Sequence, residues 1–290
     1  MKAIKTAFIV ARRCMFPMIR RLFLVAIITA FVCTTLPLGL TAWLSCSVGQ
    51  AWNGLGLGDF LSAVFGGTTP FGVIRGEPFY LPSGWLAVCG CVAYTTLDCP
   101  WRDLAGSGCQ AMIACGSRRA WWLGICFWTL IAALLCWLVI LAVCMLFAAF
   151  SGGGLEFAIS EKVPEAVGYS SYLIVYDSPV MPFGFLIVAP CVFVAMCFIQ
   201  LSITCYKGPM AGLLASFLFL FLAVWSQIPI PPYVWLVASR LEGIAYEGLS
   251  CFIGILVSLV IATGAAIAGW RAFSWRDFVN HTSDLLIGEK

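Results

Sequence analysis

Residues Asp98–Trp122 read DCPWRDLAGSGCQAMIACGSRRAWW, the one polar, charge-bearing stretch between two long apolar runs. It is too long for a turn. Asp98 or Cys99 can cap a helix that has Pro100 in its first turn, where proline's missing N–H would be unpaired in any case. Asp103 falls in the same turn and favours the positive end of that helix. Leu104, Gly108 or Cys109, Met112 and Cys115 give it a weakly apolar face. Gly116-Ser117 ends it, and Ser117 can serve as the N-cap of the next helix. Arg118 and Arg119 then stand beside Trp121 and Trp122, the composition of an anchor at headgroup level. The pattern predicts a cytoplasmic loop helix lying at a membrane surface.

Composition places the loop in a membrane protein. The chain has 290 residues, of which 62% are hydrophobic and 10% charged, and its mean hydropathy is +1.01. A soluble domain carries about 25% charged residues and cannot hide this much apolar surface in one core. No basic stripe supports nucleic-acid binding. Most of the 15 cysteines fall inside apolar runs, where a thiol behaves as a small hydrophobe. There is no CxxC pair, and the one histidine, His281, lies in the tail. A zinc or iron–sulfur site therefore has almost no ligands to draw on, and none is expected.

Six stretches approach the ~20 apolar residues that a bilayer core requires. They are Leu22–Ser45, Ser83–Leu97 (short), Ala120–Phe150, Val180–Tyr206, Gly208–Ile228 and Leu249–Trp270. An even number of spans puts both termini on one side, together with 13 of the 16 lysines and arginines. Only Arg75, Lys162 and Arg240 remain for the other side, so the positive-inside rule places both termini in the cytoplasm. Every Asp, Glu, Lys and Arg falls outside the six stretches. That argues against an ion-coupled carrier, whose pathway needs ionisable groups within the membrane. Asp59, Glu77 and Glu242 are the candidates for dipping inward on re-entrant segments.

The expected fold class is all-α: a polytopic membrane protein with six transmembrane helices in a single domain, residues 1–290. Residues 1–21 are expected to form a cytoplasmic interfacial helix, because Ile4, Phe8, Ala11, Met15 and Ile19 recur at helical spacing beside arginines. Residues 22–270 form the six-span bundle and 271–290 a cytoplasmic tail. The first apolar run is too long for a signal-peptide core and no small-residue cleavage site follows it, so it is read as an uncleaved span.

No catalytic constellation emerges. None of the five lysines follows a glycine and precedes a hydroxyl residue, so there is no phosphate-binding loop. A single histidine excludes H-E-x-x-H, and paired carboxylates at the membrane face are absent. The chain is expected to be no enzyme by itself and to hold no cofactor.

The run from Trp101 to Trp128, with its RDLAG…GCQA…GSRRAWWLG…W pattern, resembles the loop and third span of permease-like subunits of bacterial ABC type-2 exporters. The tail Gly269–Phe278, GWRAFSWRDF, is similar to their closing segment, and SQIPIPPYVWLVASR occupies the place of their last outer loop. The likeness touches roughly 60 residues directly and the whole chain in topology. The high cysteine content and the short second span depart from the family's pattern. The resemblance implies a six-span permease in the cytoplasmic membrane, paired as a homodimer or heterodimer with another six-span subunit. A separate ATP-binding cassette subunit hydrolyses the ATP. It also implies a coupling helix in the first cytoplasmic loop, with Asp98, Trp101, Arg102, Asp103, Arg118 and Arg119 as the contact to that ATPase. Two other readings stay open: a non-transporting accessory or immunity protein associated with such a system, and a stand-alone secondary carrier. An uncharged path suits peptides, lipids and hydrophobic drugs alike, so the sequence names no substrate.

Overall fold

A computed structural model describes the backbone of residues 2–44, 51–67, 82–97, 117–160, 163, 180–225, 231–245 and 248–274, with the side chains of 18–41 in the first of these segments. Seven helices organise them: α1 (Lys2–Leu44), α2 (Leu57–Phe65), α3 (Ser83–Thr96), α4 (Arg118–Ser151), α5 (Phe185–Lys207), α6 (Pro209–Trp225) and α7 (Cys251–Ser274). Two short 3-10 turns, Pro232–Leu236 and Ala238–Arg240, precede α7. Strand pairing among the described residues is limited to two isolated bridges, Ala158–Val180 and Leu241–Leu249. The chain is therefore all-α.

Four helical segments are long and apolar enough to cross a bilayer: Met18–Thr41 of α1, then α4, α5 and α7. At the two other expected positions stand shorter apolar helices. The 14 residues of α3 rise ~21 Å and the 17 of α6 ~26 Å, at 1.5 Å per residue. Both fall short of a hydrocarbon core of ~30 Å. The helices turn large apolar side chains outward, as with Phe31 (68% exposed), Leu123 (60%), Leu214 (67%) and Val260 (69%). Water penalises such a surface and lipid does not, so the protein is membrane-embedded.

Helix α1 runs unbroken from Lys2 to Leu44, so the segment expected to lie at the interface and the first span, apolar over Met18–Thr41, form one continuous helix.

The most extensive helix contacts pair α5 with α7 and α1 with α4. On α7 the buried positions Gly254, Ser258, Ala262 and Gly269 form a stripe of small residues that lets backbones approach closely, the usual basis of helix association in lipid. Ser202 of α5 donates across that seam to the carbonyl of Ala265 at 2.7 Å. The α1–α4 seam buries Val25, Val32, Leu36 and Leu40 against Ala133, Cys136, Ile140 and Cys144.

Contacts between elements define two ends of the bundle. One is basic and carries Arg20 and Arg21 from within α1, and Arg118, Arg119, Lys207 and Arg271 from the ends of α4, α5 and α7. The other is closed by a lid of α2, residues 151–160 and the two 3-10 turns. The lid is filled with rings: Phe65 lies 5.3 Å from Phe185 and 5.8 Å from Trp137, centroid to centroid. Trp52 stacks on Phe147 at 5.8 Å. Such pairs contribute about 0.5–1.5 kcal/mol each beyond area burial. Sequence periodicity did not reveal α2, a nine-residue buried helix in a stretch read as loop.

Within the lid the chain crosses itself at Gly153. A Cβ there would overlap the backbone carbonyl of Leu55, which cannot swing aside because Gly54 donates to Ser151 O at 2.9 Å. Gly153→Ala is expected to destabilise the protein by about 1–3 kcal/mol, the usual cost of overpacking. A lowered midpoint of thermal unfolding in detergent checks this, and an unchanged midpoint would refute the crossing.

Candidate functional site

The basic end is assembled by side chains that cap the ends of other helices. The last carbonyls of α3 lack the amide four residues on that an interior carbonyl has. Tyr94 O accepts from Leu97 N at 3.3 Å and Ala93 O from Thr96 Oγ1 at 3.3 Å, and both have lone pairs to spare. Arg21 of α1 donates from Nη1 to Tyr94 O at 3.3 Å and Thr95 O at 3.2 Å. Its guanidinium also lies 5.1 Å from the centre of the Tyr94 ring. The next carbonyl back, Ala93 O, accepts from Gln200 Nε2 of α5 at 2.7 Å, and Gln200 Oε1 accepts from Ser216 Oγ of α6 at 2.9 Å. Three helices therefore grip the inner end of α3, and a cation sits at its negative dipole end.

Helix α4 begins where the sequence placed it. Ser117 is its N-cap and accepts from Ala120 N at 3.3 Å. Arg118 is exposed, and its Nη1 donates to Ser274 O, the last carbonyl of α7, at 3.1 Å. Of the six expected contact residues, Arg118 and Arg119 are thus placed at the basic end, both exposed. Asp98, Trp101, Arg102 and Asp103, with the whole expected coupling helix, lie outside the described residues.

Trp121 and Trp122, read as part of an interfacial anchor beside Arg118 and Arg119, face protein: they are 1% and 4% exposed. Trp121 stacks on Phe273 at 4.8 Å and 12°, and Trp122 does so at 5.8 Å and 28°. Gly269 leaves the space that Trp122 fills, since a Cβ there would strike its ring. The start of α4 and the end of α7 therefore pack directly on one another.

Two charges that the sequence left in outer loops are buried in the lid. Asp59 is 1% exposed. Its carboxylate accepts from Gly56 N at 2.8 Å, from Ser160 N at 2.7 Å and from Ser160 Oγ at 3.0 Å. Burial lifts this carboxyl above its ordinary range, opposed by those hydrogen bonds. It fastens the start of α2 to the strap after α4. Arg240 is 7% exposed and donates to Ala223 O at 2.8 Å and Val224 O at 3.0 Å, at the C-terminal end of α6. Burial lowers its pKa to about 10, so it stays charged at neutral pH. Two residues on, Glu242 Oε1 accepts from Cys251 N at the start of α7 at 3.0 Å. The segment 240–242 thus sets a cation on one helix's negative end and an anion on the next helix's positive end.

Arg21, Gln200, Asp59 and Arg240 were not among the expected site residues. Two carried a signal: Asp59 is a candidate for dipping inward, and Gln200 is a lone amide within an apolar run, which in lipid marks an interhelical hydrogen bond. Among the described residues no three His, Cys, Asp or Glu side chains converge as a metal-binding group, and the ten described cysteines are free thiols. The arrangement can hold helix ends rigidly and present cations at one face. No protein-family profile, curated protein or solved structure matches the chain.

Proposed function

We propose that the chain is the transmembrane permease subunit of an ABC exporter, driven by ATP hydrolysed on a separate ATP-binding subunit. The observation that carries this reading is the basic end. Residues 98–116 leave from α3, whose end is held by Arg21 and Gln200, and return at the Ser117 cap of α4. Helix ends held in this way carry a force applied between them into the bundle.

In this reading the basic end faces the cytoplasm under the positive-inside rule. The bundle crosses the cytoplasmic membrane six times, with α3 and α6 as the two shorter crossings. Asp98, Trp101, Arg102 and Asp103 provide the docking contact, and Arg119 flanks it. A second six-span subunit, identical or different, completes the transport path.

The second reading is a non-transporting accessory or immunity protein. It draws on the close ring packing of Phe65, Trp137, Phe185 and Phe193, which fills the centre of the lid. Purification from native membranes separates the two when followed by transport assays in reconstituted vesicles. A co-purifying ATPase and ATP-dependent export are expected. A stable complex without transport supports the accessory reading, and purification with no ATPase refutes both.

A further inference from the structure

We infer that α3 is a strut that moves the basic end and the lid together, with Arg21 and Gln200 as positioning residues at its inner end. Each end of the short helix α3 is fastened to other elements, one by side chains of α1 and α5 and the other by its own Trp85. At the inner end, Arg21 holds Tyr94 O and Thr95 O, and Gln200 holds Ala93 O. Gln200 is in turn fixed to Ser216 of α6.

At the outer end Trp85 Nε1 donates to Leu236 O, in the first 3-10 turn of the lid, at 3.1 Å. The Trp85 ring meets Tyr233 of the same turn edge-on at 6.1 Å and 78°. Both rings are 2% exposed, so this attachment is sealed from solvent. Between the two ends α3 buries only Val88, Cys89, Val92 and Ala93 among apolar groups. Apolar contacts let a helix shift along its axis, whereas the polar fastenings at its ends define where it stops.

The stretch from Trp85 to Thr95 is two to three helical turns, about 15 Å long. A continuous helix of that length transmits axial displacement with little loss, and packed interiors do not absorb it. Leu97 N closes the last turn on Tyr94 O at 3.3 Å, so a pull on the chain after Leu97 acts on the gripped turn itself. The lid segment that Trp85 holds continues within four residues to Arg240, which is bonded to α6. A shift of α3 therefore reaches α6 twice, through Ser216 near the basic end and through Arg240 at the lid.

The strut needs no ATPase to be tested, so its failure and that of the exporter reading are distinguishable. The full chain in lipid nanodiscs is compared with Arg21→Gln and Gln200→Leu by hydrogen–deuterium exchange. Loosening the inner grip is expected to speed exchange in lid residues 231–241 by about tenfold, while α7 at 251–274 keeps its protection. Coupling is reciprocal, so Trp85→Phe, which keeps a ring but loses the indole donor, is expected to speed exchange at 93–97. This second variant decides the matter if the inner-end variants fail to fold. Lid exchange that stays at the wild-type rate, or that rises only together with α7, overturns the strut.

Discussion

Replacing Arg240 by Met is expected to cost about 2–4 kcal/mol of stability, the largest effect of any single side-chain change at the lid. Met keeps most of the aliphatic volume but donates nothing. Ala223 O and Val224 O then lie at the end of α6 with no other side-chain donor among the described residues. A buried acceptor left unsatisfied costs about 1–3 kcal/mol, and the loss is offset in part because a desolvated charge disappears with it. Arg240→Lys can reach one carbonyl at a time and should lose about half as much. Thermal unfolding followed by tryptophan fluorescence reads both variants. If Arg240→Met melts with the wild type, the guanidinium is no cap and the lid is held without it.

Arg240 also shows where sequence reading stops. A single arginine in a proline-rich stretch gives no sign of depth, and it was counted with the outer-side charges. Its burial depends on α6 ending at Trp225 beside it, a relation fixed in three dimensions and not by periodicity. Ser117 is the opposite case. A helix cap is a contact within three residues, so its chemistry is written locally, and the structure finds it in place. The apolar runs were legible for the same reason, because each describes one helix and needs no partner.

Trp121 and Trp122 fall between these cases. Tryptophan beside arginine marks either a lipid interface or the end of a helix seam. The residues that decide, Gly269 and Phe273, stand some 150 positions away in the chain. Helix α2 is not legible because nine residues, eight of them buried, are too few for a helical stripe to stand out from a buried apolar run. Asp98, Trp101, Arg102 and Asp103 are read from a resemblance, whose chemistry concerns a partner surface and not this chain's own packing.

Charge reversal at Arg102 and Asp103 puts that reading to the test. If residues 98–116 dock on an ATPase, these charges should govern partnership and leave folding alone. An exposed ion pair contributes about 0–1 kcal/mol to stability, so the double variant Arg102→Glu, Asp103→Arg is expected to insert and accumulate as the wild type does. At a docking contact the same groups are desolvated against partner charges, and mispairing one costs about 2–5 kcal/mol. That corresponds to roughly a 30- to 5,000-fold loss of affinity, enough to strip the ATPase during purification. Arg118 is a poorer target, since it also holds Ser274 O and reversing it would disturb the α4–α7 seam. Arg21 is excluded for the same reason, as the cap of α3. Co-purification is therefore measured on the Arg102/Asp103 variant, with membrane yield and melting temperature as controls. Loss of the ATPase at unchanged yield supports the coupling contact. A variant that keeps its partner and its transport makes residues 98–116 a connector, and the contact must then be sought among the other cations of the basic end, beginning with Arg119 and Arg271.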